Sequence, residues 1–382
     1  MQGKRSVACE SGTSQSRLRY VTLDHWRGIA ALAVLVFHGF GAIRGAGHEV
    51  HRWVAWLKWL SDFGWFGVHV FFVISGYCIA ANCAYLIKNE DNAWSFMKDR
   101  LLRIYPVYWA ACLVCILSNA AASPFNHVPV SANLPANWWE AMGGLLLLEP
   151  YMGVNSFLLV SWSLVYEIGF YVLIAFGLEA RRRGVPASWL FVLGLGLGIW
   201  GLIRQHSGLT YILNFWPEFL LGSVVFLSLR DRSSRPWVAR AWITVPVAFA
   251  IIGYFTLPTS ERIGQMVGAS IFSLLLLGLH SRDERIAAFK PLRWLAWVGT
   301  ISYSLYLTHT FLGLRLINLA GRFISDDSPW MLLLHPLAWL LSIALAWGFY
   351  ILFERPLERF RRQAKSRQET AIRRHSISLD PG

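Results

Sequence analysis

Arg27 and His38 stand eleven residues apart, with only apolar and glycine residues between them. That spacing is three helical turns, so both side chains fall on one helix face, roughly 16 Å apart along the axis. Asp24 lies on the same stripe, one turn earlier. Ionisable groups in a membrane helix are costly and mark a site by default. Four further clusters break the apolar background. Arg100 and Arg103, at i and i+3, make a fork suited to phosphate. Ser163 and Glu167, at i and i+4, stack on one face after Trp162. Ser302, Tyr306 and His309 share another face. Ser75-Gly76, inside an aromatic stretch from Phe71 to Tyr77, lets a neighbouring helix come close. A histidine near a carboxylate is an arrangement for activating a hydroxyl, and paired arginines dock a phosphorylated ligand. Each cluster also has a plainer reading, as interfacial anchor, packing residue or positive-inside charge.

The elements that must position these groups are membrane helices. Of 382 residues, 55% are hydrophobic and 15% charged, and the mean hydropathy is +0.43. Long apolar runs explain those values; a soluble core does not. Bilayer-length segments are expected near 27–44, 64–86, 106–123, 160–178, 188–204, 211–229, 240–258, 263–280, 296–315 and 331–353. The fold class is therefore all-α, a polytopic membrane bundle of about ten transmembrane helices. The shorter apolar stretch 138–153 reads as interfacial or re-entrant, and Pro106 fits the first turn of its span. With a cytoplasmic N-terminus, 28 of the 35 lysines and arginines fall in cytoplasmic segments, the exceptions being Arg44, Arg52, Lys58, Arg204, Arg262, Arg315 and Arg322. That bias follows the positive-inside rule. It favours an even helix count with both termini cytoplasmic: a tail over 1–19, a transmembrane domain over 20–356 and a basic tail over 357–382.

The net charge of +13 is accounted for by basic loops facing anionic lipid and needs no nucleic acid. Residues 1–19 are polar and carry no apolar core of a cleavable signal, so the first helix is expected to direct insertion. The five cysteines, Cys9, Cys78, Cys83, Cys112 and Cys115, lie outside the predicted external loops. They read as packing thiols, and Cys112-Leu-Val-Cys115 has no second ligand pair to complete a metal site. By depth, Arg27, Arg100 and Arg103 fall at the inner face. His38, Glu167, Tyr306 and His309 fall at mid to outer depth. The arrangement suits a phosphorylated donor that enters from the cytoplasm with its reactive end near mid-membrane.

Taken in order, these clusters resemble the acyltransferase 3 family of integral-membrane O-acyltransferases. The matching residues are Leu23-Asp24-His-Trp-Arg27-Gly, Phe37-His38, Phe71 to Tyr77 and Arg100 to Pro106. Trp162-Ser163-Leu164 with Glu167, Phe219 to Gly222, Ser302 to His309 and Glu354-Arg355-Pro356 complete the pattern. The resemblance covers about residues 18–360. It implies transfer of an acyl group, most often acetyl from acetyl-CoA, to a carbohydrate hydroxyl, with no metal. It implies catalytic roles for Arg27 and His38, a donor-binding role for Arg100 and Arg103, and motif roles for Trp162, Ser163 and Glu167. On this reading His38 is general base or acyl acceptor, Glu167 orients or balances it, and Tyr306 or His309 binds the oxyanion or the acceptor. Asp24, Ser75 and Ser302 support the motifs. Some relatives append a soluble SGNH hydrolase-like domain; the 26 residues after Pro356 are too few for one. The expected partners are acyl-CoA, membrane lipid and a carbohydrate or glycolipid acceptor. The expected location is a bacterial inner membrane, multi-pass. A transporter or flippase for a glycolipid or small acid is the alternative that the same buried residues would suit.

Overall fold

A computed structural model describes residues 20–41, 52–88, 92–127, 129–203, 208–231, 236–257, 259–324 and 328–364. The expected tail over 1–19, Cys9, Arg44, Arg204 and residues 365–382 lie outside them. Among the described residues every regular element is helical. The main helices are α1 (Leu23–Gly41), α2 (Gly67–Lys88), α3 (Ala93–Asn126), α4 (Trp138–Leu145), α5 (Trp162–Arg182) and α6 (Ala187–Ile203). They continue with α7 (Trp216–Asp231), α8 (Pro236–Thr256), α9 (Ser260–Leu279), α10 (Arg293–Thr300), α11 (Ser302–Thr308) and α12 (Pro329–Phe349).

Seven helical stretches among the described residues are long and apolar enough to cross a membrane: Trp56–Lys88, Ala93–Asn126, Trp162–Arg182, Thr210–Asp231, Pro236–Phe255, Arg262–Ala288 and Leu333–Ala364. Each overlaps one expected span. The other three expected spans differ in instructive ways. In α1 the polar residues Asp24, His25, Arg27 and His38 dilute an otherwise apolar helix. Helix α6 is apolar but has only 17 residues. The segment 296–315 is not one helix: Ile301, with φ −95° and ψ 7°, separates α10 from α11, and turns follow Thr308.

Pro106 is not at a first turn. Helix α3 begins 13 residues earlier, because the side chain of Asn92 accepts the Ser95 backbone N–H at 2.7 Å and caps the end. The helix therefore carries Arg100 and Arg103 well inside its length. The stretch 138–153 folds as α4, a tight turn with Leu147 at φ 57°, and a second short helix, Glu149–Met152. A helix C-terminus leaves carbonyls without partners. Here three consecutive ones are met from α3: Tyr108 donates to Gly144 O (2.7 Å), Trp109 to Leu145 O (2.9 Å) and Tyr105 to Leu146 O (2.8 Å).

Two backbone contacts set the frame. Gly76 of α2 lies on the backbone of Phe219, and Gly222 of α7 lies on that of Val73. Gly28 of α1 lies on Leu295, and Gly299 of α10 on Asp24. Lipid gives no hydrophobic drive for helix association, so close approach through small residues supplies the packing contact. Helices α1 and α2 also pack on each other, and α11 packs on α1, α3 and α12.

Candidate active site

Five helices wall one cavity of about 100 Å³. Helix α1 contributes Arg27, α2 contributes Ser75 and Cys78, α3 contributes Arg100 and Arg103, α5 contributes Ser163 and Glu167, and α11 contributes Ser302, Tyr303 and Tyr306. The polar lining thus sets three guanidinium groups against one carboxylate. Glu167 accepts hydrogen bonds from Ser75 Oγ (3.2 Å) and from the Tyr171 hydroxyl. Arg100 is buried, with its guanidinium carbon 5.5 Å from the ring centres of both Phe96 and Tyr171. Two aromatic faces hold that cation without consuming its hydrogen-bond donors. Arg27 faces Asp24 at 3.8 Å, on the more exposed side.

A second buried carboxylate stands behind the lining. Glu354 closes a π-helical turn, Tyr350–Glu354, and accepts from Ser304 Oγ at 2.5 Å. Single π-turns within helices occur frequently at functional sites. Tyr303 donates to Ile104 O at 3.0 Å, which ties α11 to α3 beside Arg103.

The histidines lie beyond one wall. Tyr306 donates to Val160 O (3.0 Å) and meets Ser163 Oγ at 2.7 Å. Its ring centre is 6.2 Å from that of His309, which is 5.1 Å from that of His38. His309 is buried and its Nδ1 lies 3.0 Å from Leu305 O and 2.9 Å from Tyr306 O.

The structure therefore brings Arg27, Arg100, Arg103, Glu167, Tyr306, Ser75, Ser163 and Ser302 around one space. His38 and His309 form an adjoining pair. Asp24 touches the site only through Arg27, and Trp162 packs on Tyr166 and Phe215. One grouping changes. Depth separated Glu167 from the arginines and assigned it to His38, yet its hydrogen-bond partners are Ser75 and Tyr171 and it shares the arginines' cavity. The packing of α3 against α5 brings Arg100 and Arg103 to the same cavity as Glu167. Sequence reading missed Tyr171, although it lies at i+4 from Glu167. It also missed the buried His69–Glu218 pair, at 3.3 Å, because 149 residues separate the partners. Among the described residues no group of three or more His, Cys, Asp or Glu could hold a metal ion, and Cys78, Cys83, Cys112 and Cys115 are free thiols.

Comparison with known proteins bears on what such a site does. A family model described as an acyltransferase domain matches residues 20–353. The exopolysaccharide production protein ExoZ of Rhizobium meliloti is 29% identical over 320 residues, covering 80% of this chain and 92% of that protein. The peptidoglycan O-acetyltransferase OatA of Listeria monocytogenes is 26% identical over 333 residues, 78% of this chain and 50% of that protein. A putative O-acetyltransferase of Staphylococcus aureus is 24% identical over 339 residues, 78% of this chain and 51% of that protein. The chain thus spans about half the length of the latter two relatives. No solved structure matches.

Proposed function

The chain belongs to the acyltransferase family whose domain it matches, and from that premise we propose that it moves an acyl group, acetyl in the first instance, from acyl-CoA to a hydroxyl of a cell-surface or secreted carbohydrate. The observation that carries this reading is the convergence of Arg27, Arg100 and Arg103, from two different helices, on one cavity beside Glu167. A cluster with excess positive charge fits a polyanionic donor, and the guanidinium fork suits phosphate.

Arg100 and Arg103 hold the donor's phosphates. Arg27 closes the cluster from α1, and Glu167, held by Ser75 and Tyr171, keeps the guanidinium groups apart and oriented. His38 acts as general base: it takes the acceptor hydroxyl's proton as that oxygen bonds to the acyl carbon. The carbon–sulfur bond breaks, and the proton passes to the departing thiolate. Covalent acylation of His38 followed by transfer is the other order of events. Tyr306, between cavity and histidines, meets the acyl end. Exposed Trp138 and Trp139 at the start of α4 suit stacking on a sugar ring.

The remaining assignments belong to the same reading. Ten crossings, with tails 1–19 and 357–382 cytoplasmic, keep most basic residues on the inner side. The membrane is a bacterial inner membrane, in line with bacterial relatives named for exopolysaccharide production and peptidoglycan O-acetylation. Equilibrium binding of labelled acetyl-CoA to detergent-purified protein tests the donor assignment. Binding should be saturable and weakened about 10- to 100-fold by Arg103→Ala, the loss expected for one charge-assisted contact. Absence of binding by folded protein would turn the interpretation to the transporter.

A further inference from the structure

His309 carries chemical information in its hydrogen bonds. Its Nδ1 lies within hydrogen-bond distance of two backbone carbonyl oxygens, Leu305 O at 3.0 Å and Tyr306 O at 2.9 Å. Carbonyl oxygens only accept, so Nδ1 bears the hydrogen. In the neutral ring Nε2 is then a bare lone pair. That nitrogen is buried and has no hydrogen-bond partner among the described residues, and His309 as a whole is 1% exposed. A buried acceptor without a donor is expensive to keep. The neighbouring hydroxyl is already committed, since Tyr306 donates to Val160 O and meets Ser163. The other ring beside it is His38, centred 5.1 Å away and tilted by 47°. His38 is only half-buried, so its ring has room to turn an N–H toward Nε2.

We infer that His309 is the positioning residue for His38: its bare Nε2 accepts a hydrogen bond from one ring nitrogen of His38 and so leaves the other as the lone pair that faces the acceptor hydroxyl. The inference rests on the acyl-transfer reading for its catalytic consequence, but the hydrogen-bond assignment stands on the geometry alone. During transfer, the free nitrogen of His38 takes the hydroxyl proton as the oxygen–acyl bond forms. The carbon–sulfur bond breaks, and His38 returns the proton to the thiolate. His309 keeps its own hydrogen on Nδ1 throughout and orients the His38 ring, as the third member of a hydrolase triad orients its histidine. This replaces the oxyanion role: a neutral His309 whose one hydrogen is committed to the backbone has none to give an oxyanion.

Two variants separate this role from a structural one. In His309→Gln the amide oxygen takes the place of Nε2 and preserves the acceptor. In His309→Asn the amide nitrogen takes the place of Nδ1 and preserves only the backbone contact. Turnover with acetyl-CoA should fall about 100-fold or more in His309→Asn and stay within about tenfold of wild type in His309→Gln, with KM for acetyl-CoA unchanged in both. Equal or better turnover in His309→Asn, or a change confined to KM, would overturn the inference. Nitrogen-15 NMR of histidine-labelled protein in nanodiscs gives a readout free of activity. His309 should be the Nδ1–H tautomer, with an Nε2 resonance that moves when His38→Gln is introduced. An Nε2–H tautomer, or a resonance indifferent to His38, would overturn the pairing. If wild-type protein transfers no acyl group, the acyl-transfer reading fails by itself, and the spectra still decide the pairing.

Discussion

Gly299→Ala tests whether the site depends on the α1–α10 contact. A methyl carbon on Gly299 would lie 2.6 Å from the carbonyl carbon of Asp24 and 3.0 Å from its Cα, and closer still to its oxygen. Carbon atoms in comfortable contact stand at about 3.5–4.0 Å, so the two helices must separate by roughly 1 Å. Neither side of the contact is a flexible side chain that could swing away. Overpacking of this kind costs about 1–3 kcal/mol. The displaced residue is Asp24, one turn from Arg27, and Ser302 begins the next helix three residues after Gly299. A misplacement of about 1 Å in a catalytic constellation can cost 10²-fold in rate. The expected result is acyl-transfer turnover reduced about 100-fold, with a modest fall in thermal stability measured on detergent-purified protein. Gly264→Ala on α9, where nothing lies within 4 Å, is the control and should leave both unchanged. A Gly299→Ala protein with wild-type turnover and stability would refute the argument that this contact positions Arg27.

Further outcomes follow from the same geometry. Glu167→Gln removes the carboxylate while keeping an oxygen that accepts from Ser75 and Tyr171. It should lower turnover at least tenfold without weakening acetyl-CoA binding, because the cavity becomes more positive; binding lost in parallel with turnover would assign Glu167 to donor contact instead. Tyr108→Phe removes the side-chain donor to Gly144 O, which keeps only the longer 3.4 Å bond from the Leu147 N–H, at a cost of about 1 kcal/mol. Hydrogen exchange over 138–153 should accelerate in that variant, and unchanged protection would show that Tyr105 and Trp109 suffice. Tyr306→Phe, which breaks the link to Val160 O and Ser163, should lower thermal stability and turnover together; full retention of both would remove Tyr306 from the site.

The class of the fold and most of the polar residues that line the candidate cavity were legible because polar residues stand out against an apolar background. Arg27, Arg100, Arg103 and Glu167 could be singled out one helix at a time, since burying each needs a partner. What a single helix cannot carry is which partner it finds. Which groups meet Glu167 is set by how α2, α3 and α5 pack together, and so depth alone grouped Glu167 with His38 and did not show its bonds to Ser75 and Tyr171. The break at Ile301 was hidden for a related reason: no proline or charge stands beside it in the sequence, and it follows directly on the packing of Gly299 against Asp24. The His69–Glu218 pair needs α2 and α7 to lie backbone to backbone at Gly76 and Gly222. Ser75-Gly76 signalled close approach but not the helix approached. The tautomer of His309 is fixed by the turn of its own backbone, which composition does not report.

The most direct measurement is release of free CoA thiol by purified protein given acetyl-CoA and crude cell-surface glycans, with His38→Ala alongside. Acceptor-dependent thiol release and labelled acetyl on the glycan, both abolished in His38→Ala, are the predicted result. Folded protein that binds acetyl-CoA yet releases no acceptor-dependent thiol, or a His38→Ala variant that transfers acetyl at the wild-type rate, would contradict the account.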